Sequence, residues 1–253
     1  MVEEKAPYLY YFISDVHLGL KGFSPLEREK NFASFLSNLP EESAGIYLLG
    51  DIFDFWYEYK YVIPRGFTRT LGALSSLCDR GVNVWFLNGN HDVWTYNYLQ
   101  NEIGVKMLDE MAIVDIEGCR FCLAHGDELI GDSSHLFLKR VFKSRSLQRL
   151  FSAVHPRWAF GLASGWSRHN RLSCGQDFNF RGESDPLYAV ASQFEKSNKI
   201  DNFIFGHMHT AGNNTTPKGA GFYILGEWLT GCEYLVYNSK SGILSWERGC
   251  QPK

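Results

Sequence analysis

The sequence predicts an α/β fold with a mostly parallel sheet and a second sheet, and three patterns carry that expectation. Short apolar runs alternate with helix-length amphipathic segments through the first half of the 253 residues. Short strand-like runs beside Gly, Asn and Ser turns fill most of the second half. Five apolar runs lead within three residues into Asp, Asn or His motifs, and in α/β sheets ligands bind beyond the carboxyl ends of strands.

Residues 9–14 form the first apolar run. Residues 25–38 have helical periodicity through Leu26, Phe32, Phe35 and Leu36, and residues 46–49 are apolar again. A helix over 68–80, a strand over 82–87 and a short helix over 93–101 continue the alternation, which is the rhythm of βαβ units with helices outside the sheet. Residues 111–116 and 120–124 flank Glu117-Gly118 and read as a hairpin. Short strands over 203–205, 221–225, 234–237 and 243–246 point to a second, more antiparallel sheet. No repeat or low-complexity linker separates the halves, so residues 1–253 read as one domain.

Apolar residues make up 45% of the chain and charged residues 21%, with a net charge of -3, the balance of a globular protein with a full core. No apolar run reaches the roughly 18 residues of a membrane span. The polar start Met1-Val2-Glu3-Glu4-Lys5 lacks the form of a secretory signal, so a cytosolic location is expected. Six cysteines are too sparse for a disulfide-stapled domain. Cys119 and Cys122 have a suggestive spacing, but positions three apart on a strand face opposite sides, which favours core packing over a redox or zinc role.

Residues 133–171 are unlike the rest. They hold eight of the chain's 25 basic residues and no Asp or Glu, so the remainder carries 17 basic against 28 acidic residues. Leu136, Phe137, Leu147, Leu150, Phe151, Trp158 and Trp166 are interleaved with those charges. The stretch reads as one or two basic amphipathic helices broken near His155-Pro156.

The strand-end residues carry the chemistry. In order they are Asp15-Val-His17, Gly50-Asp51-Ile-Phe-Asp54, Gly89-Asn90-His91-Asp92, His125-Gly-Asp127 and Gly206-His207-Met-His209. Five of the eight histidines fall in these motifs and the other three, His135, His155 and His169, fall in the basic stretch. Each motif alone has an ordinary reading: Asp-x-His as a surface loop, Asn-His-Asp as a helix N-cap. Five in succession after strands point to a dimetal site. Carboxylate, amide and imidazole donors together suit Mn, with Fe, Co or Zn as alternatives, whereas oxygen donors alone favour Mg or Ca. One carboxylate must bridge, because two cations about 3.5–4 Å apart repel without a shared anion.

These motifs resemble the calcineurin-like metallophosphoesterases, whose pattern D-x-H, G-D-x-x-D, G-N-H-D/E, H-G-D and G-H-x-H is matched here without a gap over roughly residues 9–247. The resemblance implies a four-layer αββα sandwich of two mixed sheets. It also implies that one metal is held by Asp15, His17, Asp51 and His209, and a second by Asp51, Asn90, His125 and His207, with Asp51 as the bridge. His91 is then the catalytic group that donates to a leaving or phosphoryl oxygen, and Asp54 orients its ring.

Within that superfamily the chain is similar to the UDP-2,3-diacylglucosamine pyrophosphohydrolases of lipid A biosynthesis, through "SDVHLG", "LLGDIFDFW", "HGDELIGDSSH", "GHMHTA" and "YILGEW". That similarity implies a lipid-linked nucleotide sugar as substrate and makes residues 133–171 a helical lid over its acyl chains. Asn90, His91, Asp132, Arg157, Arg168 and His207 become the candidate substrate contacts. An apolar, basic lid buries acyl chains at about 0.8 kcal/mol per CH₂ and rests on an anionic membrane surface, which implies peripheral attachment to the inner face of the inner membrane. Well-known members of that family have Arg where this chain has His91. Another nucleotide, phospholipid or phosphoprotein substrate is the alternative. Nucleic acid is not expected, since the basic residues sit among Leu, Phe and Trp rather than along a phosphate-tracking groove; no protein partner is inferred. The remaining readings stay open: the stretch as a solvated helix pair, Arg157 and Arg168 as surface charge, Trp56 as cleft wall or core, His169 as surface residue or phosphate contact, and Asp92 and Asp127 as braces of neighbouring loops.

Overall fold

The computed structural model describes residues 8–21, 24–130, 144–159, 161, 180–229 and 231–249. Much of 133–171 therefore lies outside the described residues, as do Asp132 and Arg168. Among the described residues eleven strands form two sheets. The first sheet contains β1 (Leu9–Ile13), β2 (Ser43–Leu49), β3 (Asn83–Leu87), β4 (Lys106–Met107), β10 (Glu233–Asn238) and β11 (Ile243–Arg248), in the order β11-β10-β1-β2-β3-β4. The pairs from β1 to β4 are parallel, whereas β10 is antiparallel to both β1 and β11. The second contains β5 (Met111–Ile116), β6 (Cys119–Ala124), β7 (Asn202–Phe205), β8 (Gly212–Thr215) and β9 (Gly221–Ile224), in the order β5-β6-β7-β9-β8. Its inner pairs are parallel and its outer pairs antiparallel.

The two C-terminal strands correct the sequence-based expectation: they join the first sheet, and the second sheet is mixed rather than mainly antiparallel. β1 pairs with β2 on one side and β10 on the other, so its run of Phe12 and Ile13 is buried on both faces, as central strands demand.

Burial divides into three cores and so into four layers. Helices α1 (Pro25–Ser37) and α2 (Thr68–Asp79) cover the outer face of the first sheet through Phe32, Leu36, Leu71, Leu74 and Leu77. Phe12, Tyr47, Leu49 and Leu87 from that sheet meet Phe121, Leu123, Ile204 and Leu225 from the other in the middle core. The outer face of the second sheet is covered by Leu187, Tyr188 and Ala191 of a later helix, α4 (Pro186–Phe194), which follows α3 (Arg145–Phe151). Trp56 is completely buried and belongs to the α/β core. Cys122 and Cys119 do face opposite sides of β6, one in the outer core and one against the middle core. Burial pushes the Cys122 thiol up to about 12, so it packs and does not react. Cys232 is disulfide-bonded, which the sequence reading did not anticipate.

Candidate metal centre

The carboxyl ends of β1, β2, β3, β6 and β7 bring the five motifs to one edge of the sandwich. The loops bond to one another there. Asp15 N–H donates to the Gly50 carbonyl and His17 N–H to that of Asp51, at 3.1 and 2.9 Å, while Gly206 N–H reaches the His125 carbonyl at 2.9 Å. The sheets are tied across the edge by His207 N–H donating to Asp15 Oδ2 at 2.9 Å and by His125 Nδ1 against the Leu49 carbonyl at 2.9 Å.

The local backbone is strained where these side chains project. Nine non-glycine residues among those described have positive φ, and five of them are Asp15, His17, Asp51, His207 and His209. Such conformations cost about 1–3 kcal/mol each and persist where surrounding structure over-determines them. The adjoining glycines follow from close approach: a Cβ at Gly89 would strike the Asp51 carboxylate, and one at Gly206 the Ser14 hydroxyl and Asp15 carboxylate.

Asp15, His17, Asp51 and His209 converge so that one ligand atom from each lies within 4.8 Å of the others. His209 Nε2 stands 3.2 Å from both His17 Nε2 and Asp15 Oδ1, and His17 Nε2 is 3.6 Å from the same Asp15 oxygen. Asp51 extends the cluster: its Oδ2 is 3.9 Å from His17 Nε2 and 3.4 Å from His125 Nε2. His125 Nε2 in turn lies 3.3 Å from Asn90 Oδ1, and its ring centroid is 5.2 Å from that of His207. All seven expected metal ligands therefore form one continuous cluster with Asp51 between its halves.

This donor set fits a pair of divalent cations. The completely buried Asp15 and Asp51 carboxylates face imidazole nitrogens that point at common positions, and buried charge without a partner is costly. With Nδ1 against the Leu49 carbonyl, His125 turns its Nε2 inward, the nitrogen a ligand presents. Burial pushes His17 down to about 3; burial and the neighbouring His125 push His207 down to about 4. Both rings are thus neutral near pH 7. Burial would raise Asp51, but His125, His91 and His17 outweigh it and hold the carboxyl far below its ordinary range. Burial likewise opposes charge on His125 and His209, and there Asp51 and Asp15 respectively prevail and raise both.

His91 borders the cluster. Its main-chain N–H donates to Asp51 Oδ1 at 2.9 Å. Its ring Nδ1 lies 2.9 Å from the Asp54 main-chain oxygen and 3.7 Å from the Asp54 carboxylate, leaving Nε2 3.9 Å from Asp51 Oδ2. Asp92 is completely buried and braces the loops: it accepts from the N–H groups of Gly89, Asp51, Ile52 and Phe53 at 2.7–3.3 Å. Burial and the Asp51 charge push its carboxyl up to about 7 against those donors.

Three contacts were not foreseen. Arg28 Nη1 on α1 donates to the His17 carbonyl at 2.6 Å, Trp228 N–H donates to the Asp15 carbonyl at 3.1 Å, and Glu227 Oε2 lies 3.6 Å from His209 Nδ1. Glu227 and Trp228 both belong to the singled-out "YILGEW", but nothing in the motif pointed to these contacts. Of the other expected substrate contacts, Arg157 stands exposed on the 144–159 segment, and among the described residues no contact joins it to the cluster. That segment docks on the loops that follow Asp54 and His91 in sequence: the Tyr57 hydroxyl donates to the Gln148 carbonyl at 2.8 Å and that of Tyr59 to the Val154 carbonyl at 3.2 Å, and Phe151 stacks on Trp94 at 5.3 Å.

A family model for calcineurin-like phosphoesterases matches residues 9–211. A UDP-2,3-diacylglucosamine hydrolase of Porphyromonas gingivalis is 36% identical over 92% of this chain and 95% of its own length. Proteins of the same name from Neisseria gonorrhoeae and Haemophilus influenzae are 27% and 26% identical, over 86% and 92% of this chain and 89% and 95% of theirs.

Proposed function

The chain belongs to the calcineurin-like phosphoesterase family, and we propose that it hydrolyses the pyrophosphate of UDP-2,3-diacylglucosamine to 2,3-diacylglucosamine 1-phosphate and UMP. The observation that carries this reading is the convergence of the seven candidate ligands at one edge of the sandwich, in a chain that covers nearly the whole of relatives bearing that hydrolase name.

Asp15, His17, Asp51 and His209 would hold one divalent ion and Asp51, Asn90, His125 and His207 a second, with Mn the choice that best suits the mixed donors. When bound, such ions acidify water and neutralise phosphate charge. The protein's own groups do the rest. Asp54 fixes the His91 ring through its main-chain oxygen, so Nδ1 carries a proton there and Nε2 faces the reacting phosphate. A protonated Nε2 gives its proton to the oxygen that leaves. Residues 133–171 would serve as the lid, with Asp132, Arg157 and Arg168 as contacts to the substrate.

Exposed Leu147, Leu150 and Trp158 beside Arg149 and Arg157 support contact with an anionic membrane surface, and so a place on the inner face of the inner membrane. Leu150→Glu with Trp158→Glu is expected to abolish sedimentation with anionic vesicles; undiminished sedimentation would reject that contact.

Purified protein with Mn²⁺ is expected to release UMP from UDP-2,3-diacylglucosamine. If it cleaves only bis(p-nitrophenyl) phosphate, the substrate is another phosphate ester, the reading that His91 in place of Arg favours.

A further inference from the structure

We propose that the cavity between residues 209–211, Gly226, Glu227 and Gly231, and the Glu233–Arg248 pair seats the nucleoside half of the substrate, its hydroxyls and base. This rests on the reading above that the substrate is a nucleotide ester. The cavity is about 350 Å³, within the range of small-molecule sites. Its wall includes the metal-cluster residue His209, together with Ala211, Gly226, Glu227, Glu233 and Arg248. Anything bound there adjoins the reacting phosphate.

The lining selects the chemistry. Glu227 and Glu233 outnumber Arg248, so a second phosphate is repelled and the pyrophosphate stays at the metal cluster. Ionised carboxylates only accept hydrogen bonds and a guanidinium only donates. A ribose diol and a uracil supply both complements, hydroxyl and N–H donors for the glutamates and carbonyl oxygens for Arg248. Among the described residues no aromatic side chain lines the cavity, so it recognises hydroxyls and edges rather than stacking a ring.

The position also matches. The rings of His91, His17 and His209 follow one another with centroids 5.1 and 5.0 Å apart. At the His91 end the chain runs on to Trp94, which stacks on Phe151 of the apolar segment, and at the other end His209 borders this polar cavity. A substrate with an acyl half and a nucleoside half on either side of a pyrophosphate has the same polarity.

Glu233 and Arg248 are cross-strand partners on β10 and β11, 2.8 Å apart, with side chains 26% and 62% exposed. An ion pair so exposed contributes little to stability, so Arg248→Ala and Glu233→Gln are suitable probes once their melting temperatures match the parent protein. With bis(p-nitrophenyl) phosphate as reporter substrate, inhibition by UMP, inorganic phosphate and glucosamine 1-phosphate is measured in each. The variants are expected to raise the inhibition constant for UMP relative to that for inorganic phosphate by roughly tenfold, the factor that loss of one charged hydrogen bond gives. If UMP binds the parent no better than inorganic phosphate, the nucleotide reading falls and this proposal with it. If the parent prefers UMP and the variants keep that preference, or if they weaken glucosamine 1-phosphate instead, the cavity assignment is overturned while the nucleotide reading stands.

Discussion

His91 and Asp51 divide the labour of the cluster, and their contacts separate what each loss should do. Asp51 reaches His17, His125 and His91 and stands between the two halves of the ligand set. Asp51→Ala would remove the anion that the two proposed ions would share, so the purified variant should retain no stoichiometric metal by elemental analysis and have no measurable hydrolysis. His91 holds Asp51 through its main-chain N–H, a bond that alanine keeps. His91→Ala should therefore leave both metals bound while turnover falls by about 10²–10⁴-fold, the range for loss of a general acid. A variant that hydrolyses at the parent rate would remove His91 from the chemistry.

At the scale of elements, the strand-end loops are what the fold exists to hold. Asp92 gives four main-chain N–H groups their acceptor, and each buried donor left unpaired costs about 1–3 kcal/mol. Relief of its repulsion with Asp51 offsets part of that cost, so Asp92→Ala should lower unfolding free energy by roughly 3 kcal/mol in urea titrations. Asp92→Asn keeps an oxygen acceptor and loses the charge, so it should lower stability less; the reverse order would reject the bracing role. The loops and their strands were legible because each long apolar run ends in a polar motif. β4 and β8 were not: Lys106–Met107 is two residues long, and "GNNT" has no apolar alternation for a sheet pattern to show. The expected helix over 93–101 shrinks to a π-helical turn at Leu99–Ile103, because Glu58 Oε2 takes the N–H groups of Asn97 and Tyr98 and Trp94 bridges to Tyr57. Those partners are some forty residues away in sequence. The same non-locality hid the pairing of β10 with β1 and the braces Arg28 and Trp228, which donate to the main-chain carbonyls of His17 and Asp15.

Across the whole molecule, the cluster joins the two sheets. Asp15, His17, Asp51 and Asn90 follow strands of the first sheet, and His125, His207 and His209 follow strands of the second. Divalent ions held by both sets would bind the folded chain and find no comparable site in the unfolded one. Folded-state binding stabilises by RT ln(1 + [L]/Kd), about 4 kcal/mol at a thousandfold excess over Kd. Dialysis against a chelator should therefore lower the melting temperature, and added Mn²⁺ should raise it in steps proportional to the logarithm of its concentration. Asp51→Ala serves as the control: it should melt at a temperature that Mn²⁺ does not move, because a single non-bridged half cannot hold the sheets through two ions. A parent protein whose melting is indifferent to both chelator and Mn²⁺ would mean that the cluster does not couple metal to the junction of the sheets.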